Sequence, residues 1–424
     1  MMRQDGSHPL YWSADKYQPP SDWDIRPIKE YATLVKGKMP SVLIKEPTPA
    51  SLPYLLIDGL GEGETLFTEE THLPIIEESD TAVVSDGSRS GLAIRGVRGI
   101  LGSTLLAYRV KEGFDPDYLY YVLESLYPYN NTATIGGAIP HLDKRLLARL
   151  PLATPKEDEQ RRIAAALKLA DEAIAKARAE LEATRELKRS LEASLLTGFL
   201  DRRSRPRLMT KAGEFPFDWE IKPLKTVAAI DSGLTLNQDR APKEYPCRYI
   251  TVAHVQRGKV SSDDPRYLEL FPGERETRLL NNGDLLVVEG HANSCEIGRA
   301  AMFMGFDEPV TYQNHLFRIR PDTSQLLPKF LLYILNSVRM QIHWNAICNT
   351  SSGLNTINRR NLRNILIQFP DVDEQMEILS VLEGCEMSVG FCIEKLAALE
   401  NVKKSLLQNL LTGKIRIPEG VIHD

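Results

Sequence analysis

Long hydrophobic runs, paired cysteines and an excess of basic charge are all missing from this sequence. No stretch approaches the roughly 18 consecutive apolar residues that a membrane-crossing helix needs, and the start, Met1-Met2-Arg3-Gln4-Asp5-Gly6, lacks the apolar core of a signal peptide. A soluble, cytoplasmic chain without membrane contact is therefore expected. The five cysteines, Cys247, Cys295, Cys348, Cys385 and Cys392, form no C-x-x-C pair. An odd, scattered set is a poor disulfide framework, so they are read as reduced packing residues. The eight histidines show no H-E-x-x-H or other metal-ligand spacing, and no metal is expected. Lys and Arg total 52 against 57 Asp and Glu, a net charge of -5. That excludes a uniformly basic nucleic-acid binder but leaves room for a local basic face.

Signatures of nucleic-acid chemistry are missing as well. There is no G-x-x-x-x-G-K-[ST] loop for ATP and no Asn/Asp-Pro-Pro-aromatic motif of the kind that holds a target amine in amino-methyltransferases. The glycines of Gly59-Leu60-Gly61-Glu62-Gly63-Glu64 fail G-x-G-x-x-G at its last position and have no βαβ context. No Ser/His/Asp or Cys/His arrangement stands out. The chain is therefore expected to have no catalytic residues and to hold no cofactor of its own.

What is present is ordinary core-forming material, 42 % hydrophobic and 26 % charged over 424 residues, enough for two or three domains. It is arranged as a duplication. Asp22-Trp23-Asp24-Ile25-Arg26-Pro27-Ile28-Lys29 returns as Asp218-Trp219-Glu220-Ile221-Lys222-Pro223-Leu224-Lys225, 196 residues later. Asp158-Glu159-Gln160 and Leu195-Leu196-Thr197-Gly198 return as Asp373-Glu374-Gln375 and Leu410-Leu411-Thr412-Gly413, 215 residues later. A unit of about 200 residues is thus repeated, with about 19 extra residues inside the second copy.

Each copy ends in a long helical pattern. Ile163, Leu167, Ala170, Ile174, Ala177, Leu181, Thr184, Leu187, Leu191 and Leu195 advance mostly by three or four. Ile378, Leu382, Cys385, Val389, Cys392, Leu396, Leu399, Val402, Leu406 and Leu410 keep the same register without a gap. Pro155 and Pro370 precede the helices, acidic residues fill their first turns, and Gly198 and Gly413 stand where a C-terminal cap belongs. Over 41 residues such a helix is a rod of roughly 60 Å. Its apolar stripe needs a partner, and the other copy supplies one in antiparallel packing. Between these markers lie short β-type runs, at Ala82-Val83-Val84, Leu101 to Tyr108, Leu285 to Val288 and His315 to Ile319. Helical runs follow, Asp117 to Leu126 and Pro328 to Met340, with polar Gly-bearing loops between. The expected fold is α+β (mixed α/β): two similar domains separated by two long antiparallel helices in a coiled-coil-like rod, with a pseudo-twofold internal repeat.

With these motifs in place, the sequence resembles the specificity subunits of type I restriction–modification systems over essentially its whole length. The resemblance rests on the two Asp-Trp-(Asp/Glu)-Ile-(Arg/Lys)-Pro-(Ile/Leu)-Lys entrances and on Pro155, Glu159 and Gln160 with Leu195 to Gly198. Their counterparts are Pro370, Glu374 and Gln375 with Leu410 to Gly413. It implies a division into target-recognition domain 1 (1–154), a first helical region (155–200), a basic linker (201–217), target-recognition domain 2 (218–369), and a second helical region with a tail (370–424). It further implies that each domain reads half of a bipartite double-stranded DNA site and that the helices hold the halves apart and dock two methyltransferase subunits. A restriction subunit completes the nuclease, with S-adenosylmethionine in the methyltransferase and ATP and Mg in the restriction subunit. A specificity chain of a methyltransferase-only system and a non-DNA adaptor that uses the rod as a scaffold are the alternatives.

Charge agrees with that division. Residues 371–413 carry three Lys and eight acidic residues, which equals the whole net charge of -5. The acidic excess sits in a helix expected to face protein. The run Arg202, Arg203, Arg205, Arg207 and Lys211 is read as a solvated linker in preference to a phosphate contact.

Bases are read by polar side chains, mostly in the major groove. In the first domain the candidates are Ser85, Asp86, Ser88 and Arg89 in one loop, Asn130, Asn131, Thr132 and Thr134 in another, and His141 and Lys144 close by. In the second they are His291, Asn293 and Ser294, then Asn349, Thr350, Ser351 and Ser352. Gln256, Arg257 and Lys259 form a further basic loop, and Gln313 with Asn314 precedes a strand. The competing reading of each is a turn-stabilising or solvated side chain. The rod-packing candidates are Ile163, Leu167, Ile174, Leu181, Leu191, Leu195, Ile378, Leu382, Val389, Leu396, Leu406 and Leu410.

Overall fold

The structure, a computed structural model, describes residues 19–56, 65–132, 141–199, 205–210, 213–351 and 354–420. It divides into two compact units, and the division cuts through both long helices. One unit joins residues 1–179 to 393–424, and the other holds residues 180–392. The sequence segments and the compact units therefore do not coincide. Each unit owns one globular part, the first half of one long helix and the last half of the other.

In the first unit the entrance strand Asp24–Pro27 pairs antiparallel with Pro151–Thr154, so the domain's two chain ends meet beside the first long helix, Glu157–Leu195. A four-stranded antiparallel sheet runs in the order Ala32–Lys36, Leu105–Val110, Thr81–Val84, Ala93–Arg95. A second sheet contains the parallel pair Leu52–Leu55 and Gly99–Leu101. The helix Pro116–Thr132 buries Tyr118, Leu119, Tyr121 and Val122 against the first sheet, in a core shared with Ile163, Leu167, Leu410 and Leu411.

The second unit repeats this plan. Glu220–Pro223 pairs with Leu366–Phe369 beside the second long helix, Val372–Leu410. A five-stranded sheet is centred on Leu316–Pro321 and Leu285–Val288, and a parallel pair joins Pro246–Ile250 to Val310–Tyr312. The expected single run Pro328 to Met340 is two helices, Pro328–Asn336 and Val338–Ile347. Ser337 breaks it, because its hydroxyl accepts from Met340 N at 3.2 Å and caps the second helix.

The repeat extends to single buried contacts. Asp80 accepts a fork from Arg109 (2.7 Å) and from Glu77 N (3.0 Å), while Asp284 accepts a fork from Arg320 (2.7 Å) and from Asn281 N (2.7 Å). Gln160 and Gln375 each donate to the carbonyl of the preceding proline at 2.9 Å, and each accepts a backbone N–H, from Asp115 and Leu327. The Glu-Gln pair at each helix start is thus a brace between helix and domain as well as a charge complement to the helix dipole.

The end motifs are equally specific. Gly198 and Gly413 have φ of +66° and +68°, and a Cβ there would stand 2.4 Å from Pro216 and 2.6 Å from Pro20. Only glycine fits both the left-handed backbone and the close approach. Gly198→Ala is expected to cost at least about 1–2 kcal/mol through backbone strain alone, with the Pro216 contact added. Urea unfolding of that variant checks it, and an unchanged midpoint would show that the turn relaxes freely.

Inside each unit the half-helices run antiparallel. Arg178 pairs with Glu400 (2.7 Å) and Asp171 with Lys403 (2.6 Å) in the first unit; Lys188 pairs with Glu386 (3.1 Å) in the second. Ile163, Leu167, Ile174, Leu181, Ile378, Leu382 and Leu410 are buried, as is Cys392; Leu191, Leu195, Val389, Leu396, Leu406 and Cys385 are half-buried. Leu187 and Val402 correct the stripe, being 57 % and 52 % exposed. The buried face keeps the 3.5-residue repeat: Leu167, Ile174, Leu181 and Leu195 in the first copy, and Leu382, Val389, Leu396 and Leu410 in the second, lie seven or fourteen positions apart. It therefore reaches Lys188 and Lys403, equivalent residues whose ammonium groups are tied to Glu386 and Asp171.

Residues 205–210 and 213–217 are not a solvated linker. Arg207–Thr210 and Gly213–Pro216 form a hairpin, and Arg205 bridges Asp218 (2.8 Å) and Glu374 (2.9 Å). Arg207 donates to the carbonyls of Thr197, Gly198 and Glu214 and lies over the Phe199 ring. Arg202, Arg203 and Lys211 lie outside the described residues. In the first unit Arg416 plays the part of Arg205, bonding Glu159 and also Asp22 at 3.0–3.1 Å, over the face of Trp23. No described helix is long and apolar enough to cross a membrane.

Candidate nucleic-acid interface

Two corresponding edges gather the polar candidates, one in each unit. Equivalent backbone bonds fix the correspondence: Leu142 N donates to Ser85 O at 2.8 Å, and Ile357 N to Glu289 O at 2.9 Å. Ser85 N likewise meets Thr104 O, as Glu289 N meets His315 O.

At the first edge the chain leaves the buried strand Thr81–Val84 and turns at Gly87, whose φ is +100°. The turn brings Ser88 and Arg89 to the surface. His141 forms a bridge with Asp86, and its Nδ1 lies 2.5 Å from Asp86 Oδ1. Ser85 Oγ lies 2.5 Å from the other carboxylate oxygen. Burial pushes the Asp86 carboxyl up, but the Ser85 and His141 bonds and the charges of His141 and Lys144 outweigh it and hold it below the usual carboxylate range. Ser85, Asp86, His141 and Lys144 are thereby brought together. Asn130, Asn131 and Thr132 belong to the last turn of the helix Pro116–Thr132 and not to a loop, because that helix runs past Leu126; Thr134 lies outside the described residues.

The second edge is built differently. His291 sits in the short strand Gly290–His291, which pairs with Leu354–Thr356; Asn349–Ser351 adds a third strand. Asn349, Thr350 and Ser351 are thus in a hairpin strand where a loop was expected, since backbone pairing with Leu354–Thr356 overrides their turn preference. Ser352 lies outside the described residues. Asn293 turns its side chain inward, accepting from Cys295 N at 3.0 Å and capping the turn at Ser294. Gln256 donates to Ala253 O, so both amides serve local structure. Arg257 donates to Cys295 O (2.5 Å) and Gln341 Oε1 (3.0 Å), and Gln341 donates to Ser294 O (3.0 Å). Lys259 is not in the loop: Gly258–Lys259 is a short strand paired with Ala300–Met302, while Gln256 and Arg257 lie in the exposed segment before it. Gln313 and Asn314 stand half-buried before Leu316–Pro321, beside His315, which lies 3.6 Å from Glu289. Desolvation raises the Glu289 pKa.

Sequence reasoning missed Gln341, Asn345 and Asn355. Gln341 and Asn345 share one helix face at i, i+4 spacing and touch at 3.4 Å, but they lie beyond Met340, where the helical run was expected to stop. Asn355 donates to Ala292 O at 3.1 Å, a contact across 63 positions with no local signal. Among the described residues no three His, Cys, Asp or Glu side chains are grouped to hold a metal ion. The Ser85 hydroxyl is buried against Asp86 Oδ2 and Thr104 O, while His141 meets the other carboxylate oxygen. Both edges offer donors and acceptors suited to recognition.

Comparison with known proteins converges on one family. The family described as "Type I restriction modification DNA specificity domain" matches twice, at residues 20–183 and 216–400. The MjaVIII type I restriction enzyme specificity subunit of Methanocaldococcus jannaschii is 27 % identical over 406 residues, covering 94 % of each chain. A chain from a structural study of complex assembly in the type I R-M system superposes with a TM-score of 0.61 at 17 % identity, over 94 % of this chain and 100 % of its own. The type I system S subunit from M. genitalium gives 0.54 at 15 %, over 95 % and 99 %. With two matches that together span most of its length, the chain belongs to the type I restriction–modification DNA specificity family.

Proposed function

We propose that each globular domain reads one half of a bipartite double-stranded DNA site, and that the paired long helices set the separation of the halves and dock two methyltransferase subunits. A restriction subunit completes the assembly. The chemistry belongs to these partners: S-adenosylmethionine is bound by the methyltransferase, and ATP and Mg by the restriction subunit. The observation that carries this reading is the contrast within the duplication. The buried scaffold is kept, from Trp23 and Trp219 to the Asp80–Arg109 and Asp284–Arg320 forks, while the corresponding polar edges differ residue by residue. Two copies of one scaffold with different reading edges suit two different half-sites.

Methylation-site mapping with the partner methyltransferase tests it. Arg89→Ala is expected to relax the first half-site alone and Arg257→Ala the second alone, by about 1–3 kcal/mol of discrimination at one base pair. Relaxation of both halves by either variant would contradict the assignment of one half to each domain.

A further inference from the structure

The two edges differ most sharply at one pair of positions. Where the first domain places Asp86 opposite His141, the second places Gly290 opposite Thr356. Equivalent backbone bonds flank the two pairs, Leu142 N to Ser85 O and Ile357 N to Glu289 O, and the side chains at the pairs differ.

In the first domain those side chains form a chain that leads outward. Ser85 is 1 % exposed, and its hydroxyl sits between Thr104 O (2.9 Å) and Asp86 Oδ2 (2.5 Å). The other carboxylate oxygen holds His141 Nδ1 at 2.5 Å, and the imidazole is half exposed. An acceptor at that distance places the ring proton on Nδ1 and fixes the ring plane. The opposite nitrogen, Nε2, has no hydrogen-bond partner among the described residues. A buried hydroxyl, a carboxylate and an outward imidazole nitrogen are the arrangement by which proteins fix one polar tip in one orientation.

Resting on the reading of these domains as DNA readers, we infer that His141 is a base-reading residue of the first half-site, with Asp86 as its positioning residue. Nε2 contacts the major-groove edge of one base pair, where each pair presents its own pattern of donors and acceptors. Asp86 acts through the ring: one of its oxygens holds His141 Nδ1 and the other the Ser85 hydroxyl. The second half-site is read without such a contact.

Methylation mapping with the full complex decides it. The bipartite motif of the wild-type chain belongs to the proposed function and is read first; its absence would overturn both readings. Given that motif, His141→Ala and His141→Gln are expected to lower discrimination about 10–100-fold at one base pair of the first half-site, leaving the second half-site unchanged. Asp86→Asn is expected to affect the same base pair, and Asp86→Glu to recover part of the discrimination. A merely structural pair would weaken methylation at every position alike, without relaxing one base. Unchanged strictness at every position in both His141 variants, while the wild-type motif stands, would overturn the inference.

Discussion

Arg205→Met is expected to lower the stability of the second unit by about 3–5 kcal/mol, the usual cost of removing one member of a buried ion pair. The Arg205 side chain is 10 % exposed and Glu374 12 % exposed, and the guanidinium reaches both Glu374 and Asp218. Glu374 also accepts from the Trp219 indole at 3.3 Å, so the pair joins the start of the second long helix to the domain entrance. Without the arginine, Glu374 is left as an uncompensated charge inside a packed junction. The loss is a large fraction of the roughly 5–15 kcal/mol that holds a domain folded. Arg205→Lys, which keeps the charge but not the planar fork, is expected to fall between. Arg416→Met removes the equivalent clasp in the first unit and is expected to cost a similar amount, because Glu159, 7 % exposed, is left without its guanidinium. The outer contact to Asp22, 58 % exposed, is screened by water and salt and adds little. Urea unfolding followed by circular dichroism checks the order; equal midpoints for Arg205→Met and the parent would show that the junction does not depend on the pair.

Deleting one heptad from both long helices is expected to shorten the DNA spacer and leave both half-site sequences unaltered. Seven residues remove about 10.5 Å of helix, close to three base pairs at about 3.4 Å per step. Seven residues are also nearly two full turns, so the buried faces stay within about 20° of register. Cutting within Leu181–Leu187 and Leu396–Val402, equivalent stretches in the two copies, preserves the Lys188–Glu386 and Lys403–Asp171 pairs. Half-sites read from one face of B-DNA favour separations near one helical turn, about 34–36 Å, so activity is expected to fall while the remaining methylated sites carry the shorter spacer. Methylation mapping distinguishes the outcomes: an unchanged spacer would show that the helices do not set it.

The parts of this architecture written locally were legible in the sequence. The long helices announced themselves because three- and four-residue spacing persists over many turns, and their ends because Pro155 and Pro370 precede them while Gly198 and Gly413 follow. The Trp23 and Trp219 entrances were visible as short repeated blocks. What was hidden depends on partners far apart in the chain. Arg205 read as linker because Glu374 lies 169 positions away, and Arg416 read as tail because Glu159 lies 257 positions away. The Asp80–Arg109 and Asp284–Arg320 forks are single residues in otherwise diverged strands, beneath any sequence repeat. At the candidate interface, residue type marked polar segments but not the local contacts their side chains make. Asn293 and Gln256 carry the amides expected of base readers, yet local backbone groups use them. Gln341 reaches the interface from a helix that begins only because Ser337 starts a new one.

The most direct test of the central claim is methylome sequencing of cells that express this chain with its methyltransferase partner. One bipartite motif is expected: two dissimilar half-sites, each altered only by substitutions in its own domain, separated by a spacer of fixed length. A continuous motif, or a spacer that varies freely among methylated sites, would contradict it.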